Sequence, residues 1–233
     1  MKKFTLASFN IGDASKMYNK YDPRDLDAIA AFIKDCGADI VALQEVDCGC
    51  DRSAGADMAK YISDKADYPF YHFITIRPFQ NGLYGTAILS RFPVTDKKTI
   101  NYKVKVAKQG TSCGYITADI DGEPVTVFNT HLSCESDAGN FDTVNCLDSE
   151  LREFYSEHGR FLCCGDFNTS PSVVSENIKW VKLANKDLYT YADRSIDNVL
   201  YTNGFSVGDV RTKDATTDMI SDHNMLLCTV SVL

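Results

Sequence analysis

Apolar residues along this chain fall into two spacings, short continuous runs and stripes recurring every three to four residues, and the two alternate. Residues 5–9 read as a buried strand. The stripe of Leu26, Ile29, Ala30 and Ile33 predicts a helix over 23–36, with Asp22 able to cap it, Pro23 suited to its first position and Gly37 to stop it. Residues 39–45 form a second buried run whose polar members, Gln44 and Glu45, gather at its C-terminal end. A short helix is expected at 57–65, then strands near 70–76 and 86–90. Asp121-Gly122, flanked by runs at 114–120 and 125–130, is a strong hairpin signal. Val144, Leu147, Leu151, Phe154 and Tyr155 recur at helical spacing and predict a helix over 141–158. Further strands fit 160–164, 196–201, 206–211 and 225–232. Many strands, several in hairpins, with a few covering helices, indicate sheets packed under helices.

No repeat or linker divides the 233 residues, so a single domain over 1–233 is expected. The 44% hydrophobic and 24% charged residues exclude a disordered, collagenous or coiled-coil chain. No apolar run approaches the ~18 residues of a membrane span, so no stable membrane insertion is expected. Met1-Lys2-Lys3 leads into a strand-like run with no apolar core of a signal peptide, which favours a cytoplasmic chain. Nine cysteines, an odd number, fit a reducing compartment. Cys48-Gly49-Cys50 and Cys163-Cys164 invite a zinc reading, but no CxxC pair occurs and neighbouring strand residues face opposite ways. Small buried hydrophobes are the better reading of these cysteines.

Net charge is −8, from 32 acidic and 24 basic residues, which disfavours affinity built on neutralising many phosphates. It leaves room for an enzyme that handles phosphate through a bound cation. Polar residues stand at the ends of the apolar strands: Asn10, Glu45, Asn129-Thr130-His131, Gly165-Asp166-Phe167-Asn168, Ser195-Ile196-Asp197-Asn198 and Ser221-Asp222-His223. Buried charges must be paired or bound to metal, so several acids and two histidines at converging strand ends mark a candidate site. His72 and His158 lack such context and read as structural or surface residues. Ser195 and Ser221 neighbour acids, but no G-x-S-x-G elbow occurs, so both read as turn residues or supports of the site.

This ordered set resembles the endonuclease/exonuclease/phosphatase superfamily from Phe9-Asn10-Ile11 to Ser221-Asp222-His223. The landmarks are Leu43-Gln44-Glu45, the segment Tyr84-Gly85-Thr86-Ala87-Ile88-Leu89-Ser90-Arg91, Asn129-Thr130-His131-Leu132, Gly165-Asp166-Phe167-Asn168 and Ile196-Asp197. The resemblance implies an α/β (α+β) four-layer sandwich, two packed and mostly antiparallel β-sheets flanked by helices, with the site at one edge. It also implies a hydrolase of phosphate esters dependent on Mg²⁺ or Mn²⁺. By the same resemblance, Glu45 is the metal carboxylate, with Asn10 and Asp222 beside the metal. Asp166 positions and deprotonates the attacking water. Asn168, Asn10 and Arg91 contact substrate. Asp197 and His223 form a dyad, and His131 faces the phosphate from the other side. In deoxyribonuclease-like members a Glu supports that histidine, whereas here no acid occurs between His72 and Arg91.

Lys97, Lys98, Lys103, Lys105 and Lys108 alternate with Tyr102, Val104 and Val106 over a stretch that predicts a lysine-protected edge strand. A polyanion-contacting edge is the other reading. The length leaves little room for loops that grip a duplex, which suits a compact substrate or an exposed nucleic-acid end. Within the phosphoesterase class, a nuclease competes with a small-molecule or lipid-headgroup phosphatase or phosphodiesterase. An inactive binding scaffold would have lost key acids, and none is lost here. A protein partner is not inferable from these residues.

Overall fold

The computed structural model describes residues 2–16 and 22–233. One six-stranded sheet is built from β1 (Lys3–Asn10), β2 (Ile40–Cys48), β3 (Phe70–Phe79), β4 (Gly82–Ser90), β11 (Phe205–Lys213) and β12 (Met225–Val232), in the order β11-β12-β1-β2-β4-β3. The other contains β5 (Val94–Asn101), β6 (Ser112–Ile120), β7 (Glu123–His131), β8 (Leu162–Asp166), β9 (Lys182–Leu183) and β10 (Asp197–Tyr201), in the order β5-β6-β7-β8-β10-β9. Each sheet is antiparallel except for one central parallel pair, β1 with β2 and β7 with β8. Four α-helices complete the described chain: α1 (Pro23–Cys36), α2 (Met58–Lys65), α3 (Asp137–His158) and α4 (Pro171–Asn177).

Three apolar layers hold the sandwich together. Between the sheets pack Leu6, Ile40, Ala42, Ile88, Ile116, Val127, Leu162, Cys164 and Leu226. Residues one step along the same strands, Ala7, Val41, Leu43 and Leu89, face outward onto Leu26, Ile29, Ile33 and Ile62 of α1 and α2. On the far side Phe128, Phe161 and Cys163 meet Val144, Leu147 and Leu151 of α3. Cys163 and Cys164 therefore point into different layers, as their adjacency in a strand requires. The order is helices, sheet, sheet, helices, the architecture the resemblance implied.

Local chemistry explains the element ends. Asp22 accepts the Arg24 backbone N–H, Pro23 opens α1, and Gly37 closes it in the left-handed conformation at φ +68°. α3 begins at Asp137, earlier than the apolar stripe indicates, because the Ser136 side chain accepts the Gly139 N–H and starts the helix in a polar segment. β3 and β4 join in a hairpin at Gln80-Asn81, both at positive φ (+44° and +61°), with Gly82 opening β4 directly after it. The lysine-rich stretch is a correction. β5 is an edge strand, but it ends at Asn101, so Lys103, Lys105 and Lys108 lie beyond it. There Asp142 accepts the backbone N–H groups of Lys105, Val106 and Ala107, and Glu135 those of Lys108 and Gln109. Satisfied by carboxylates, this backbone needs no strand partner. No helix among the described residues is long and apolar enough to cross a membrane.

Candidate active site

The two parallel pairs decide where polar strand ends meet. Asn10 pairs with Gln44 at the ends of β1 and β2, and His131 pairs with Asp166 at the ends of β7 and β8. β10 runs antiparallel to β8, so its first residue, Asp197, stands opposite Asp166. β12 runs antiparallel to β1 with Leu226 opposite Ser8, which brings residues 221–224 to the same rim. Asn10, Glu45, His131, Asp166, Asn168, Asp197, Asp222 and His223 thus share one edge of the sandwich. Arg91 does not. It follows Ser90, whose partner in β2 is Ile40, at the opposite end of that strand, and its guanidinium lies over Tyr68 at 5.2 Å.

Glu45 reaches the rim through a β-bulge. The β2–β4 register slips between Leu43 and Val46, and Glu45 itself adopts φ +59°, a left-handed conformation that a side chain with a Cβ disfavours. Bulges of this kind re-aim a side chain. Asp166 depends instead on a glycine: a Cβ on Gly165 would lie 2.2 Å from the Thr130 carbonyl oxygen, so only glycine lets β8 approach β7 there.

The site is organised around one oxygen. Asp166 Oδ2 accepts from Asn10 Nδ2 at 3.1 Å and stands 3.7 Å from both His131 Nε2 and His223 Nε2. Asp166 Oδ1 accepts the Asn168 backbone N–H at 2.8 Å. The Asn10 amide also touches Glu45 Oε1 at 3.3 Å, linking the two carboxylates. His223 Nδ1 meets Asp197 Oδ2 at 2.9 Å, the dyad expected from the sequence. Asn168, at φ +50°, donates its side-chain amide to the Leu132 carbonyl at 3.0 Å, and one amide hydrogen remains for a ligand.

Negative charge is in excess here. Burial raises the Asp166 pKa and the neighbouring Asp197 carboxylate raises it further, while His131, His223 and the Asn168 N–H act in opposition. Burial opposes a charge on His223, but the Asp197 carboxylate, with Asp166 and Asp222, outweighs it and lifts the imidazole to about 9. One ligand atom from each of Asp166, Asp197 and His223 lies within 4.8 Å of the others, all three residues buried. Asp197 Oδ1 is buried without a hydrogen-bond partner among the described residues. Protonated His223 is no ligand, but the hard oxygens of Asp166 and Asp197, joined through the Asn10 amide by those of Glu45, form a crowd of carboxylates that a divalent cation fits. Asp222 stands on the outer lip, paired with Lys16 at 3.0 Å.

Several residues of the landmark segments turn out to support the site and not to line it. Gln44 Nε2 donates to Asn129 Oδ1, and Asn129 donates to the Leu43 and Ala87 carbonyls, tying the sheets together beneath the site. Ser221 donates to the Asn10 carbonyl at 2.6 Å and accepts the His223 N–H, the supporting part its position suggested. Arg52 joins buried Asp47 to Asp13, and Tyr84, which opens one of the landmark segments but has no part assigned from the sequence, faces His131; Arg52, Asp47 and Asp13 have no such landmark.

The four-layer sandwich, with buried acids, amides and two histidines at one rim, defines the architecture, and the family follows from the sequence match. The Endonuclease/Exonuclease/phosphatase family profile matches residues 7–223, and the chain belongs to that family, whose name spans nucleases and phosphatases. No curated protein sequence matches it. Among solved structures, an endonuclease/exonuclease/phosphatase from Beutenbergia cavernae superposes with TM-score 0.79 at 19% identity, over 100% of this chain and 72% of that one. The human Nocturnin catalytic domain with bound sulfate gives 0.77 at 19% identity, over 99% and 95%. Sphingomyelinase C from Streptomyces griseocarneus gives 0.68 at 14% identity, over 98% and 99%. At these identities the likeness is one of fold.

Proposed function

We propose that this chain is a divalent-cation-dependent phosphodiesterase of the nuclease type, hydrolysing phosphate esters by attack of water. The observation that carries the reading is the arrangement around Asp166 Oδ2, where one carboxylate oxygen faces nitrogen atoms of Asn10, His131 and His223. A carboxylate in this setting is a stronger base than an exposed one, because burial and Asp197 raise its pKa. Asp166 takes the proton of the attacking water, and the Asn168 N–H on its other oxygen fixes its orientation. His223, held protonated by Asp197, presents positive charge to the phosphoryl oxygens. The free amide hydrogen of Asn168 and the imidazole of His131 contact the same group from the other side.

Glu45, with Asn10 at its side, would hold Mg²⁺ or Mn²⁺, and Asp222 would close the outer edge of that site. When bound, such a cation neutralises charge on the phosphoryl and leaving oxygens. Arg91 has no part in this scheme, since it lies at the other end of β2.

A small-molecule or lipid-headgroup phosphatase or phosphodiesterase is the alternative substrate assignment. A panel of oligonucleotides, nucleoside monophosphates and phosphocholine esters, assayed with Mg²⁺ or Mn²⁺ and again in EDTA, tests both parts. The proposal expects turnover of a phosphodiester that EDTA abolishes and either cation restores. Full activity in EDTA would refute the cation's role, and turnover confined to small phosphate esters would favour the alternative substrates.

A further inference from the structure

His131 lies between two oxygens supplied by different sheets. Asp166 Oδ2, on β8, is 3.7 Å from its Nε2, and Tyr84 Oη, on β4, is 3.5 Å from its Nδ1. The tyrosine is held firmly. It stands opposite Asp47 in the β2–β4 register, the Phe79 ring meets it edge-on at 6.3 Å, and the guanidinium groups of Arg52 and Arg77 each lie 5.5 Å from its ring centre. Arg52 is itself fixed by two 2.8 Å bonds to buried Asp47. Burial, reinforced by nearby Glu45, raises the phenol pKa well above its ordinary value, so the hydroxyl keeps its proton and can donate. No carboxylate contacts Nδ1 among the described residues, and the chain has no acid between His72 and Arg91.

We infer that Tyr84 is the positioning residue of His131: its hydroxyl donates to Nδ1 and fixes the tautomer that carries the ring proton on Nε2, facing Asp166 and the substrate. The nature of the partner decides what the histidine can do. A carboxylate at Nδ1 accepts a hydrogen bond from the ring N–H and favours the imidazolium, which can give up its Nε2 proton. A phenol that donates to Nδ1 requires that nitrogen to be bare, so the ring is neutral. His131 then acts as a neutral hydrogen-bond donor to a phosphoryl oxygen, and protonation of the leaving group falls to another residue. The 3.5 Å separation is at the long end for a hydrogen bond, and such contacts tighten when substrate binds. This inference rests on the proposed phosphoesterase reading only for the identity of the oxygen that His131 meets.

Two measurements on the full-length protein test it. The first is ¹⁵N NMR of the imidazole rings, with the His131 signals assigned by their loss in His131→Gln. The expected wild-type ring has Nε2 protonated and Nδ1 bare, and Tyr84→Phe admits the other tautomer. A wild-type ring protonated on Nδ1, or a ring signature unchanged in Tyr84→Phe, overturns the inference. The second is steady-state hydrolysis of bis(p-nitrophenyl) phosphate with Mn²⁺. Tyr84→Phe, its fold checked by circular dichroism, should lower kcat about tenfold, in line with one hydrogen bond, and leave KM within about twofold. In the His131→Gln background the same change should cost nothing more. An equal loss in that background would mean that Tyr84 does not act through His131. A wild type inactive on every phosphodiester would defeat the proposed function, and the ring tautomer would still decide this inference.

Discussion

Asp197 and His223 show how one pair sets both charge and stability. The imidazole loses solvent on folding, which disfavours its charge, yet the carboxylate 2.9 Å from Nδ1 reverses that and lifts the pKa to about 9. A folded value above the ordinary 6.5 means that folding takes up a proton between those two values. The stabilisation is fully present below about pH 6.5 and is lost as pH rises through about 9, with a magnitude on the order of 3 kcal/mol. Urea unfolding of the cation-free protein and of His223→Gln measures this directly. The stability difference between the two should shrink as pH rises from 6.5 to 9.5, and a pH-independent difference would contradict the pairing. The dyad was legible in the sequence because Ile196-Asp197 and Ser221-Asp222-His223 form recognisable landmarks. Tyr84 opens a landmark segment but its part was not legible, because that part depends on a contact between β4 and β7 that no spacing along the chain reveals.

Strand ends are the elements that build the site, and two backbone devices shape them. The bulge in β2 turns Glu45 to the rim, and the close approach of β7 and β8 at Gly165 places Asp166. Gly165→Ala would force a Cβ to within 2.2 Å of the Thr130 carbonyl, and the neighbour is backbone, which yields poorly. This variant should lose roughly 1–3 kcal/mol of stability, as overpacking in a tight core does, with a chemical denaturation midpoint well below that of the wild type. A loss under about 0.5 kcal/mol would show that the strands can separate without cost. Regular elements were the legible ones. Strong stripes and short apolar runs located α1, β2, β6, β7 and β12 to within a few residues. The hairpin at Gln80-Asn81 and the start of α3 escaped because turn geometry and a capping serine set them, not apolar spacing. The stretch beyond Asn101 shows the opposite error, an alternating pattern that reads as strand while carboxylates from α3 and the segment before it hold its backbone.

For the whole molecule, the sandwich serves as a rigid frame that brings segments from residue 10 to residue 223 to one rim, where their charges repel. A cation that binds the folded rim and not the unfolded chain stabilises the fold by mass action. At about 100 times its dissociation constant this amounts to about 2.7 kcal/mol, or roughly 5–10 °C in Tm for a protein of this size. Thermal melts with and without Mg²⁺ or Mn²⁺ should show that rise, and Glu45→Gln should reduce it. A Tm indifferent to either cation would place the excess charge outside any cation site.

The central claim is that the rim around Asp166 breaks phosphate esters, and Asp166→Asn tests it most directly. The substitution keeps the side-chain shape and removes the base. With Mn²⁺ and a phosphodiester substrate, the account predicts a fall in kcat of at least about a thousandfold at unchanged circular dichroism, the scale on which loss of a general base is felt. A variant that hydrolyses the substrate within a few-fold of the wild type would contradict it.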